Sequence, residues 1–238
     1  MRILITSVAT LVCAASFAQG ILQDNTPLRQ WYINMATGQG YEITPGGNVG
    51  IQAGPVTSYS NVTTFSGFVA TGGNRADDLH MTQGGLVNGF SFIYSDAAGG
   101  PQLVDAPVTF YVGGPGDPVP GAVLQSLLIT GLPGDGHWII TVDLAGSGFE
   151  FVAPADIWAG LDLSAASRSH ARHSLWNPPT IGSSHDVFYR FDGTPGFYWF
   201  GGNPVANFGW EIKMVPEPGA IAAIGTGLLG LLALRRRK

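Results

Sequence analysis

Two imidazoles stand three residues apart in His170-Ala171-Arg172-His173. On a helix that spacing puts both rings on one face, where they could share a metal ion; on a strand they point apart. His185 or Asp186 could add a third ligand. The acids Asp77-Asp78 follow a turn, Gly72-Gly73-Asn74. An acidic loop with nearby backbone carbonyls suits Ca²⁺, although a solvated turn and a polar loop explain both clusters without an ion. No other cofactor is implied. Ser184, His185 and Asp186 are adjacent in "GSSHD", and neighbouring strand side chains diverge, so they do not form a relay. Glu150 and Glu211 are carboxylates of the type glycoside hydrolysis uses, but nothing in their spacing brings them together. G-x-S-x-G and H-E-x-x-H are absent. No enzyme is expected.

The aromatic residues are more suggestive. Tyr198 and Trp199 lie in "FYWF", just before Gly201-Gly202-Asn203, and Trp176 precedes Asn177-Pro178-Pro179. Aromatic faces stack on the C–H faces of sugar rings, and a nearby amide bonds to hydroxyls. Trp176, Tyr198, Trp199 and Asn203 are therefore candidates for a ligand-binding platform. The competing reading is hydrophobic core on an alternating strand.

These residues need elements to hold them. "FGWEIKM" sets Phe208, Trp210, Ile212 and Met214 on one face, with Gly209, Glu211 and Lys213 on the other. A period of two with one apolar face is a half-buried strand. "GFSFIYS", "PVTFYVG", "HWIITVDL" and "DIWAGLDL" read the same way. Weaker strands are expected in "GYEIT", "NVGIQA", "VTTFSGFVA", "DLHMT", "VLQSLLIT", "GFEFV", "DVFYRF" and "FYWF". Gly- and Pro-rich turns separate nearly all of them. The segment "LSAASRSHARHSL" is a short helix or a polar loop. The expected fold is all-β: an antiparallel β-sandwich of jelly-roll type, plus one hydrophobic helix at the C-terminus.

Both ends look like processing segments. Arg2, an apolar stretch from Ile3 to Ala15, and Ser16-Phe17-Ala18 make a secretory signal peptide cut between Ala18 and Gln19. The single cysteine, Cys13, falls inside it, so the exported chain has no disulfide. Residues 19–38 are read as a lead or edge strand, 39–214 as the sandwich domain, and 215–238 as a C-terminal signal. Between 19 and 214 six bases face fifteen acids, a net of −9. No basic patch stands out, which excludes nucleic acid as a partner.

The last segment runs Pro216-Glu217-Pro218, then "IAAIGTGLLGLLAL", then "RRRK". Fourteen apolar residues make a helix of roughly 21 Å, against a bilayer core of about 30 Å. The bases would stay in the cytoplasm and leave the domain outside. The prolines keep the approach to the membrane extended, and Ala223 and Gly227 form a small-xxx-small pair.

Motif, apolar run, basic end and signal peptide together resemble the PEP-CTERM sorting signal. The resemblance covers about the last 24 residues. It implies export by a Gram-negative-type bacterium, a transient hold in the inner membrane, and cleavage by an exosortase that recognises Pro216, Glu217 and Pro218. It also implies a cell-surface or matrix setting of exopolysaccharide and biofilm. "PADIWAGLDL" and "GLPGDGHWIITVDL" further resemble strands of bacterial surface proteins that carry such tails. The expected function is a non-enzymatic structural or adhesive role outside the cell. Binding of extracellular polysaccharide is the alternative, and action on glycosides the third reading.

Overall fold

The computed structural model describes residues 27–44, 56–62, 65–68, 72–96, 103–114, 116–164, 170–176, 178–201 and 207–215. The signal peptide, its Ala18–Gln19 junction, "NVGIQA", Asn203, the motif Pro216-Glu217-Pro218 and the expected C-terminal helix lie outside them.

The described residues form sixteen strands and no helix. In chain order these are β1 (Leu28–Asn34), β2 (Gln39–Ile43), β3 (Val56–Ser60), β4 (Phe65–Phe68), β5 (Asn74–His80), β6 (Gly85–Asp96), β7 (Leu103–Val112) and β8 (Val123–Pro133). Then come β9 (Gly136–Asp143), β10 (Phe151–Ala153), β11 (Asp156–Asp162), β12 (Ala171–Trp176), β13 (Val187–Arg190), β14 (Gly196–Trp199), β15 (Asn207–Phe208) and β16 (Trp210–Val215). Ten strands build one sheet around β6. The other six build a second sheet in the order β14-β13-β5-β11-β7-β8. The all-β expectation holds. One ladder departs from antiparallel pairing: β1 runs parallel to β9, from Leu28 opposite His137 to Asn34 opposite Asp143.

The alternation read from the sequence makes the core. Phe90, Phe92 and Tyr94 of β6 and Trp210, Ile212 and Met214 of β16 point at Val108 and Phe110 of β7 and at Ile157, Ala159 and Leu161 of β11. The Phe90 ring meets Phe110 edge-on at 5.1 Å, and Trp210 meets Phe110 at 6.0 Å. These rings join the two sheets into a single apolar layer. Between β15 and β16 the chain breaks at Gly209, where a Cβ would stand 2.7 Å from both Ile93 and Trp176. Asn61 ties this break to the fold. Its Nδ2 donates to the Phe208 carbonyl at 2.7 Å and its Oδ1 accepts from the Trp210 N–H at 2.8 Å, so buried backbone groups there are satisfied.

The "ARHSL" end of the suspected helix belongs to strand β12, paired with β6 and β4. Its alternation beats its helix-friendly composition, because β12 lies beside β6 and gains its ladder bonds there.

Candidate functional site

The outer face of the six-stranded sheet carries a continuous aromatic row. Its floor is the register of β5, β11 and β7. Trp158 lies opposite Tyr111 on one side and Asp78 on the other, and Gly160 lies opposite Ala76. On β13 and β14, Tyr189 stands opposite Phe197 and Val187 opposite Trp199, while Tyr189 also faces Ala76. Residues directly opposite share a face, so all of these side chains leave the sheet on one side.

The rings touch in sequence across four strands and one loop. Tyr111 stacks on Phe191 at 5.4 Å, and Phe191 meets Tyr189 at 4.9 Å. Tyr189 meets Trp158 at 6.5 Å, Trp158 meets Phe197 at 6.4 Å, and Phe197 meets Trp199 at 6.0 Å. Trp158 is fully buried at the base. Tyr111, Tyr189 and Phe191 are half-buried, Phe197 is 39% exposed and Trp199 is 70% exposed. The low floor leaves room for the rings, which meet mostly edge-on, with only Tyr111 and Phe191 stacked. A Cβ at Gly160 would come within 3.3 Å of the Tyr111 ring and 3.2 Å of the Thr109 carbonyl. Burial raises the Tyr111 hydroxyl's pKa above its ordinary value, against the opposing pull of its bond with Thr109.

Beside Trp158 the row has a polar flank on β5. Nδ1 of His185 lies 2.9 Å from Oδ2 of Asp78, and the His185 backbone N–H stands 3.3 Å from both oxygens of that carboxyl. Two residues along β5, His80 pairs through Nδ1 with Asp156. Burial pushes the Asp78 carboxyl up to about 6, against the opposing pull of the His185 bonds. Asp77 points the other way, into the core. Its Oδ2 accepts from the Phe208 N–H at 2.8 Å, and burial followed by the neighbouring Asp78 raises its pKa.

Several sequence candidates change role. Asp77 and Asp78 sit on strand β5, on opposite faces and both buried, and not in the open acidic loop that Ca²⁺ would need. His170 is exposed just before β12. His173 is buried within that strand and donates from Nε2 to the Gly73 carbonyl at 2.8 Å. The two imidazoles therefore do not converge. Among the described residues, no three His, Cys, Asp or Glu side chains are placed to hold a metal ion. Trp176 is buried against Phe65, with ring centroids 5.8 Å apart, and near His137 at 6.2 Å; it is core and not platform. Tyr198 turns inward, stacks on Phe188 at 5.6 Å and donates to the Thr194 carbonyl. Of the three described platform candidates, Trp199 alone stands on the row.

The remaining catalytic candidates serve local structure. Glu150 accepts the N–H groups of Gly146 and Gly148, Glu211 pairs with Lys213, and Ser184 accepts from the Tyr59 hydroxyl. The row itself adds Tyr111, Trp158, Tyr189, Phe191 and Phe197, which were not singled out from the sequence. A readable trace exists in the i, i+2 pairs Tyr189/Phe191 and Phe197/Trp199.

Residues 215–238 match the family model of the PEP-CTERM protein-sorting motif. Neither the curated proteins nor the solved structures compared with the chain give a match. The match begins on Val215, the last residue of β16. The all-β domain thus runs directly into a PEP-CTERM motif, the signature of a protein exported and sorted to the cell surface.

Proposed function

We propose that the chain is a cell-surface or extracellular-matrix protein, released from its membrane-held tail by an exosortase, with a non-enzymatic adhesive role. Its outer aromatic face is the adhesive surface and extracellular polysaccharide is what it holds. The continuous row from Tyr111 to Trp199 is the observation that carries this reading. Sugar rings present flat C–H faces, and each stacks weakly on an aromatic ring. Phe197 and Trp199, with the half-buried Tyr189, Phe191 and Tyr111 beyond the buried Trp158, let such weak contacts add along one polymer. With a net charge of −9 over residues 19–214, a neutral polymer fits better than an acidic one, which would be repelled.

Affinity electrophoresis of the full chain in mild detergent tests this. Neutral polysaccharide in the gel is expected to retard the chain, and Trp199→Ala is expected to restore its mobility. Equal mobility with and without every neutral and acidic polymer tried would overturn the reading.

A further inference from the structure

The edge of the six-stranded sheet farthest from β14 is β8, whose ladder bonds among the described strands go only to β7. Leu128 lies opposite Pro107. Proline has no N–H, so this pair cannot exchange the two bonds of a narrow antiparallel pair. The N–H and C=O of Leu128 therefore point away from β7, along the open edge, and those of Ser126 do the same two residues earlier. Ser126 bears this out, because its N–H is taken by the side-chain Oε1 of Gln125 at 3.0 Å, while Gln125 Nε2 donates to the Phe149 carbonyl. One amide thus covers the edge at Ser126. Among the described residues, nothing bonds to the outward backbone of Leu128, whose side chain is 57% exposed.

Natural edge strands are guarded by charges, by proline or by brevity. From Val123 to Leu132 β8 has no charged residue and no proline, although the domain around it carries a net of −9 between residues 19 and 214. A second copy is resisted by charge elsewhere on the surface and not at this edge.

We propose that a second copy of this chain pairs antiparallel along β8, about a two-fold axis at Leu128. Leu128 then meets Leu128 of the second copy and exchanges two backbone hydrogen bonds with it. Ser126 comes level with Thr130 of the second copy on the outer side, but its N–H stays with the Gln125 amide, so the backbone exchange is confined to the Leu128 pair; Leu127 faces Ile129 of the second copy on the core side. The register is self-complementary, as an isologous contact requires. An axis normal to the sheet leaves both outer faces on the same side, so the two aromatic rows would meet one polymer together.

Cross-linking in the producing cells tests the pairing, with Cys13 replaced by alanine in every variant. Residues facing each other in a narrow pair have Cα atoms about 5.5 Å apart, within disulfide reach. Leu128→Cys is expected to give a disulfide dimer on mild oxidation. Val152→Cys, 69% exposed on β10, is expected to stay monomeric. In parallel, sedimentation of the full chain in detergent should show a dimer that Leu128→Lys converts to monomer. Leu128→Cys cross-linking no better than Val152→Cys, or a dimer that survives Leu128→Lys, would overturn the proposal.

Discussion

His185 lies over Asp78, its Nδ1 2.9 Å from Oδ2, and this contact is the main partner of a carboxyl that is 1% exposed. Burial nonetheless wins and pushes Asp78 up to about 6. An unfolded aspartate titrates near 3.9, so between about pH 4 and 6 the folded chain binds the extra proton. Stability from this group is therefore full below pH 4 and is lost as pH rises through 6. Asp78→Asn keeps an acceptor for His185 and removes the titration. Its urea midpoint, relative to the parent chain, should rise between pH 4 and 7; a relative fall would contradict the buried-carboxyl account.

His173 has the opposite sign. Burial first, and then the Arg75 charge, hold its ring down to about 3, so it stays neutral and donates to Gly73. The unfolded ring takes its proton near pH 6.5. Below that pH the unfolded chain binds more protons, and stability falls toward pH 3 by up to about 1.4 kcal/mol per unit. His173→Gln, which can still donate to the Gly73 carbonyl, should flatten this acid limb. Melting temperatures at pH 4.5 and 7.5 check it, and an unchanged slope would count against the neutral ring.

The strands were legible because alternation survives translation into burial: Phe208, Trp210, Ile212 and Met214 all point into the core as their spacing predicts. β5 was legible only in part. Its "NRADDLH" carries Arg75, Asp77 and Asp78 buried, and their partners, Phe208 and His185, lie more than a hundred residues away. No local pattern announces a charge satisfied at that distance. "FYWF" shows the same limit at the site. Period two predicts that Tyr198 and Trp199 part company, but only the pairing of β13 with β14 tells which ring faces solvent. The row itself comes from β7, β11, β13, β14 and the loop after β13, so its continuity is a property of the sheet.

The row also separates binding from stability. Trp199 is largely exposed, and Trp199→Ala should change folding free energy by no more than about 0.5 kcal/mol while weakening polysaccharide retardation. Trp158→Ala empties a buried site and should cost about 3–5 kcal/mol. Trp176→Ala should cost a similar amount, because that ring fills space beside Phe65 and His137, and should leave binding unchanged under conditions where it still folds. Denaturant titration beside affinity electrophoresis distinguishes the three. A stable Trp158→Ala chain would contradict the buried base.

The sorting tail makes the last prediction. β16 ends at Val215 with Met214 buried, and its ladder sets Met214 opposite Val87 and Val215 opposite Leu86 of β6. A cut upstream of Val215 would strip pairs from the strand at the centre of the larger sheet. A cut within or after Pro216-Glu217-Pro218 would leave the ladder intact, so the domain and the signal can be separated without unfolding. Whole-chain mass measurement on exported protein should therefore place the new C-terminus beyond Val215 and short of Lys238. Replacing Pro216, Glu217 and Pro218 together with alanine should leave Lys238 in place and hold the chain in the membrane fraction, with the melting temperature of the domain unchanged. An exported parent chain that still ends in Lys238 would show that the tail is retained.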